Sequence, residues 1–496
     1  MKFMKTFFYF FIAISCTINL AKGQSNFQFD IVLAGGRVID PETKLDAIKN
    51  VGIINHRIAQ ISSEALKGKE VIDVSGLVVA PGFIDLHVHG RSNQEQEYQL
   101  HDGLTTALEL EWGIECLAQW YESRKSKALI NYGASVCWPF ERFKAMAKYK
   151  PGVNSLLGTT IKGESKIETL FNTISPSYTE TLSPAETVQM LQNIKSSLAE
   201  GGVGIGVPIG YLPKSSPGEM FSVYQLAGEI QALVFSHVRE PNIISIQEVM
   251  ADAILTGAPL HIVHINSMSL GQIQLALDMV DDAKKKGFDI STELYPYTAG
   301  STLLQSAIFN EGWQEKMNIG YGDLQWVATG ERLTKESFDK YRKTGGVVIL
   351  HSMKPEWINI GVAWPGVMIA SDGMPYSPKA HPRTAGTFSR VLGKYVREDK
   401  IIDLNTAISK MTLLPAKRLE GIAPMMRFKG RIQVGADADI TIFDPNKIID
   451  KSSFEKGLAF SEGVEYVIVN GTIILKNGKT VDGVFPGQPV FGKFKR

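Results

Sequence analysis

Two histidines with one residue between them open the chemistry of this chain: His87 and His89, in Pro81-Gly-Phe-Ile-Asp-Leu-His-Val-His-Gly90. Residues two apart on an extended strand share a face, so both imidazoles can reach one cation. Further along, polar residues close apolar, strand-like runs. His237 follows Leu233-Val-Phe-Ser, His264 follows Leu260-His-Ile-Val, His351 follows Val347-Val-Ile-Leu, and Asp372 follows Val367-Met-Ile-Ala-Ser. Five of the nine histidines belong to this set, although only strand ends were selected. Neutral imidazoles suit zinc, and a carboxylate beside the cation can take a proton from water, the role read for Asp372. Glu109 and Glu111, in Thr105-Thr-Ala-Leu-Glu-Leu-Glu-Trp-Gly113, share one face of another apolar strand. Burying two carboxylates there is costly unless they are paired or bound to metal. One of them can bridge two ions while the other orients a ligand. His261 stands three residues before His264, so its side chain faces away, and it reads as structural.

These residues need a scaffold that brings strand ends together. From about residue 183 the pattern alternates helix and strand. Ser183-Pro-Ala-Glu186 reads as a capping box with proline in the first turn, and Val188, Leu191, Ile194 and Leu198 follow at helical spacing. The strand-like runs around Val203 to Val207, Leu233 to His237, Leu260 to His264 and Phe288 to Leu294 are each followed by another helical segment. Such repeated units predict a TIM-like (β/α)8 barrel of class α/β, with the polar strand ends at its C-terminal mouth. Short β-rich runs before residue 82 and after residue 423 predict a small β-sandwich built from both chain ends. The expected division is 24–82 plus 423–496 for the sandwich and 83–422 for the barrel. An insertion at about 301–345 interrupts the barrel and reads as a lid or small subdomain.

Bulk properties narrow the function. A net charge of +1 offers no field for steering toward polyanions, so nucleic acid is not an expected partner. Lys2 and Lys5 precede a run that is nearly all apolar or small from Thr6 to Leu20, and Ala21-Lys-Gly23 supplies small residues for cleavage. This reads as a signal peptide over 1–23 and an exported protein, periplasmic or secreted. Ala13-Ile-Ser-Cys16 resembles a lipobox, which would make a lipid anchor at Cys16 the one membrane link. Cys116 and Cys137 are expected as free, buried thiols rather than a disulfide framework.

With these residues in hand, the chain resembles the amidohydrolase superfamily and, within it, the N-acyl-D-amino-acid deacylases, from about Phe29 to Pro489. The marks are Ala80-Pro-Gly-Phe-Ile-Asp-Leu-His-Val-His89, Asp102-Gly-Leu-Thr-Thr106, His237-Val-Arg-Glu240, Tyr295-Pro-Tyr-Thr-Ala-Gly-Ser-Thr302, Ser371-Asp-Gly373 and His381-Pro-Arg-Thr-Ala-Gly-Thr-Phe388. The resemblance implies one or two zinc ions. His87 and His89 would bind the weaker, His237 and His264 the tighter, and Asp372 would be the catalytic carboxylate. Tyr295 and Arg383 would hold the substrate α-carboxylate, and His351 joins them as a substrate-side residue. The implied reaction is hydrolysis of a small N-acyl-D-amino acid to a carboxylate and a free D-amino acid.

Two departures stand out. D-aminoacylases usually read Gly-Asn-Cys-Gly where this chain reads Leu110-Glu-Trp-Gly113, so the cysteine ligand is missing and Glu111, with Glu109 as the alternative, must supply the bridging charge. The Ala-Leu-Glu-Leu-Glu phrasing resembles the D-glutamate deacylases and turns the substrate expectation toward N-acyl-D-glutamate. The second departure is Asn266, where these deacylases commonly carry lysine. A carbamylated lysine has no convincing candidate, since Lys162 lies in a stretch without strand character. Rival readings are a dihydroorotase- or hydantoinase-like cyclic amidase, an isoaspartyl-type dipeptidase, and a secreted binding protein without catalysis.

Overall fold

The computed structural model describes residues 29–149, 152–153 and 167–496. The signal peptide read over 1–23, its Cys16 and Lys162 lie outside the described residues.

Eight parallel strands form one sheet in chain order: Phe83–Asp85, Leu104–Ile114, Asn131–Cys137, Ile205–Pro208, Val234–His237, Leu260–Ile262, Ile290–Leu294 and Met368–Ile369. Their side chains are buried throughout, as expected of strands covered by helices on the outside and packed side chains within. The ring closes beyond the ends of its first and last strands, where Val88 bridges Gly373 and the His89 N–H donates to the Gly373 carbonyl at 2.7 Å. The helix Pro184–Ala199 starts on the expected capping box, with Ser183 accepting from the Glu186 N–H and Glu186 reaching back to the Ser183 N–H.

The chain ends meet in a second sheet. Ile440–Phe443 pairs antiparallel with Val78–Pro81, which joins the strands from 29 to 81 to those from 440 to 480. Branched aliphatic side chains such as Leu33, Val51, Ile53, Val79, Ile440 and Ile468 form its buried core. The final residues leave this sheet and brace the barrel near the starts of its third and fourth strands, with the Val490 N–H on the Tyr132 carbonyl at 2.7 Å and the Gly492 N–H on the Gly201 carbonyl at 2.9 Å.

Between the seventh and eighth barrel strands, Gly300–Leu303, Leu324–Trp326 and Val347–Leu350 form an antiparallel sheet. It packs with two short helices around Trp313, Trp326 and Phe338. Val347–Leu350 is therefore the central strand of the insertion, not a barrel strand, and this corrects the placement of His351 at the mouth. Cys116 and Cys137 are free and buried. Among the described residues no helix is long and apolar enough to cross a membrane.

Candidate metal centre

At the C-terminal mouth, Glu111 lies at the centre of four imidazoles. One carboxylate oxygen faces His237 Nδ1 at 2.8 Å and His264 Nε2 at 3.5 Å. The other faces His89 Nε2 at 3.1 Å and His87 Nε2 at 3.3 Å. Asp372 Oδ1 completes the group, 3.5 Å from His87 Nε2 and 3.3 Å from His89 Nε2. These side chains are all nearly or fully buried.

Three overlapping triplets have their ligand atoms within 4.8 Å of one another: His87, His89 and Glu111; Glu111, His237 and His264; and His87, His264 and Asp372. Imidazole and carboxylate donors converging in this way suit zinc. Two of the triplets share only Glu111, whose oxygens point one to each, so this residue is the one placed to bridge two ions. The buried carboxylates also supply the electrostatic reason for a cation, since their charges are costly away from water.

The charges are strongly coupled. Burial would push the Glu111 carboxyl up, but His237, His264, His87 and His89 hold it well below its usual range. Burial likewise opposes ionisation of Asp372, and the Arg383 guanidinium, 2.9 Å away, leads in holding it well below the carboxylate range. For His87, burial disfavours the charged ring, yet Asp372 and Glu293 raise it to about 10. Protons therefore compete with a divalent cation for these nitrogens.

Backbone geometry fixes the two residues that flank the cleft. His264 and Asp372 both adopt left-handed conformations, at φ +32° and +51°. Side chains other than glycine pay for this, and the surroundings must hold them there. Around Asp372, the Ser371 N–H donates to Asp85 Oδ1 at 3.0 Å, and the Gly373 N–H to Ser371 Oγ at 2.9 Å. Asp85, in the same segment as the paired histidines, also accepts from the His87 N–H at 3.0 Å. It thus ties the first strand end to the last.

Glu109 is the orienter rather than the bridge. It accepts from His89 Nδ1 at 3.0 Å and from the Trp112 N–H at 3.3 Å. The hydrogen bond at Nδ1 turns His89 Nε2 toward Glu111 and Asp372, the side on which it would meet a metal.

On the substrate side, Arg383 is buried and stacks over the Tyr295 ring at 4.5 Å. Its Nη2 serves Asp372, but Nε and Nη1 have no hydrogen-bond partner among the described residues. Arg383 lines the cleft, and a guanidinium there is suited to receive a carboxylate. Burial raises the Tyr295 phenol to about 12, so it stays a donor at neutral pH. Asn266 donates to the Tyr295 carbonyl at 3.1 Å. The lysine usual in the resembling deacylases is thus replaced by a neutral amide that holds the tyrosine backbone.

His351 is not part of this group. Its Nε2 pairs with Gln325 Oε1 at 3.0 Å, its ring packs edge-on against Phe454, and it sits behind the cleft wall formed by Leu350 and Ser352. The residue that strand-end reading missed is Glu293, buried within the seventh strand and 2.6 Å from His87 Nδ1. Like Glu109 and Glu111 it is a carboxylate inside a buried parallel strand, but Ile290-Ser-Thr-Glu-Leu294 lacks the apolar run that marked the other two.

The amidohydrolase family model matches residues 356–475. A D-aminoacylase of Alcaligenes xylosoxydans xylosoxydans is 30% identical, with 90% of this chain and 95% of the relative covered. The N-acyl-D-glutamate deacylase of the same organism is 28% identical over 90% and 94%. The solved N-acyl-D-glutamate deacylase of Bordetella bronchiseptica shares the fold at a TM-score of 0.78 and 23% identity, covering 94% of this chain and 100% of that one. That structure contains zinc and a phosphonate that mimics the tetrahedral intermediate.

Proposed function

We propose, from the premise that this chain belongs to the amidohydrolase family and within it to the N-acyl-D-amino-acid deacylases, that it is a zinc-dependent hydrolase of the amide bond of N-acyl-D-amino acids. The observation that carries the reading is Glu111 set between two pairs of imidazoles, with Asp372 and Arg383 on the lining of the cleft.

His87, His89, Glu111, His237 and His264 would hold one or two zinc ions, which supply Lewis acidity and make water a nucleophile at neutral pH. Asp372 accepts the proton of the attacking water at Oδ1 and delivers it to the leaving amine. Arg383 fixes the substrate carboxylate through Nε and Nη1, which orients the scissile amide toward the histidines. Tyr295 donates from its phenol to developing negative charge on the acyl oxygen. Products are a carboxylic acid and a free D-amino acid.

The walls of the cleft favour an apolar side chain. Trp112, Phe171, Leu303, Ile308, Met317 and Leu350 line it. Besides Arg383, the arginine on this lining among the described residues is Arg239, whose guanidinium is held by Glu248 at 2.8 Å and by the Ser215 carbonyl at 3.1 Å. A γ-carboxylate there would have to compete with Glu248. The zinc-loaded enzyme is therefore expected to release amine from N-acetyl-D-leucine with kcat/KM at least about tenfold above that for N-acetyl-D-glutamate, an advantage of about 1.4 kcal/mol. N-acetyl-L-leucine is expected to remain intact. A preference for the L-form would overturn the family-level reading, and a preference for D-glutamate would overturn the reading of the walls alone.

The basic and apolar opening of the chain, Lys2 and Lys5 followed by the run to Leu20, supports export of the enzyme, with Cys16 as the site of any lipid anchor.

A further inference from the structure

We infer that Glu293, anchored by His261, is a positioning residue that fixes which nitrogen His87 presents to the metal. Glu293 Oε1 lies 2.6 Å from His87 Nδ1, and its Oε2 lies 3.1 Å from His261 Nε2. The other His261 nitrogen, Nδ1, is 2.7 Å from Ser291 Oγ. His87, His261 and Glu293 are 0–1% exposed, so water is not an alternative partner for any of them.

The hydrogen-bond arithmetic gives the chain a direction. Glu293 turns one carboxylate oxygen to His87 Nδ1 and the other to His261 Nε2, and a carboxylate oxygen accepts. Both facing nitrogens must then donate. His87 donates from Nδ1, so Nε2 is the nitrogen it turns toward Glu111 and Asp372 and would offer to the metal. His261 donates from Nε2, and burial lowers its affinity for a second proton, so the neutral ring accepts from the Ser291 hydroxyl at Nδ1. The sequence Ser291, His261, Glu293, His87 is thus satisfied at every link. Its elements are the sixth and seventh barrel strands, which reach the first strand across the barrel interior. His261 faces away from His264, as the strand alternation requires, yet its ring reaches the centre through Glu293.

A carboxylate behind a metal-binding imidazole orients the ring and strengthens its donor nitrogen. Glu109 does this for His89, so each histidine of the first pair has its own carboxylate. The inference rests on the reading of the cluster as a metal centre.

The test is the zinc dissociation constant of the purified protein, measured by competition with a chromophoric chelator. Wild type is expected to bind zinc, and Glu293→Gln is expected to weaken one site about 10- to 100-fold, the usual effect of losing such a partner. His261→Leu, which leaves Glu293 without its anchor, is expected to weaken the same site, and His261→Gln, which keeps a donor, to restore binding to within a few-fold of wild type. The His261 pair keeps the question decidable if Glu293→Gln does not fold. Wild type that binds no zinc would overturn the metal-centre reading itself. Wild type that binds zinc, with Glu293→Gln or His261→Leu equal to it, would overturn only the role of the Glu293 chain. Equal weakening in His261→Gln and His261→Leu would do the same, because it would report packing instead of a hydrogen bond.

Discussion

Asp372→Asn is expected to lower kcat by roughly 10³-fold or more while zinc content stays near that of wild type. The amide fits the same space and can still accept from Arg383, which approaches Asp372 Oδ1 at 2.9 Å, but it cannot take a proton from water. Because Arg383 and His87 hold the wild-type carboxyl well below its usual range, Asp372 is ionised throughout the neutral and mildly acid range. The loss of rate on acidification must then come from protons entering the imidazoles. His87 and His89 have raised proton affinity, so lowering pH fills these nitrogens at the expense of the cation. The mutant and wild type are compared by turnover and by metal content in the same preparations. An Asn variant with more than about a tenth of wild-type turnover would remove Asp372 from the role of base.

Glu111→Gln is expected to lose both the metal and the reaction. Four imidazoles face this one carboxylate, two on each oxygen, at 2.8 to 3.5 Å. An amide presents two N–H donors on one side, where ring nitrogens need an acceptor or a shared cation, and it removes the negative charge common to both triplets. Zinc affinity should fall by more than about 100-fold, beyond what loss of an orienting partner costs, and turnover should fall with it. Glu109→Gln should be much milder, because Glu109 touches one of the four imidazoles, that of His89, and only at its outer nitrogen. Metal analysis by atomic emission reads both. If Glu109→Gln loses zinc and Glu111→Gln keeps it, the bridge has been assigned to the wrong residue.

Much of this centre was legible in the sequence because its parts lie at strand ends, where buried apolar runs stop and a polar residue follows. His87, His89, His237, His264 and Asp372 met that pattern and converge in the fold. Glu111 and Glu109 were marked by the cost of burying carboxylates along a strand, and only their distances to the imidazoles separate bridge from orienter. His351 met the strand-end pattern equally well and fails, because Val347–Leu350 pairs antiparallel within the insertion. Local pattern carries no information about which strand a run will join. Glu293 was not singled out and His261 was read as structural, because their meaning lies in contacts 206 and 32 residues apart in sequence. The two chain-end β-rich runs were readable as strands, whereas the pairing of Ile440–Phe443 with Val78–Pro81 that unites them is a long-range fact.

The account stands most directly on one measurement: hydrolysis of N-acetyl-D-leucine by protein stripped with a chelator and then titrated with zinc. The stripped protein should be inactive, and activity should return with the first one or two equivalents of zinc per chain. Full activity in protein shown by elemental analysis to hold no metal, or none after zinc is restored to a folded and zinc-binding protein, would contradict it.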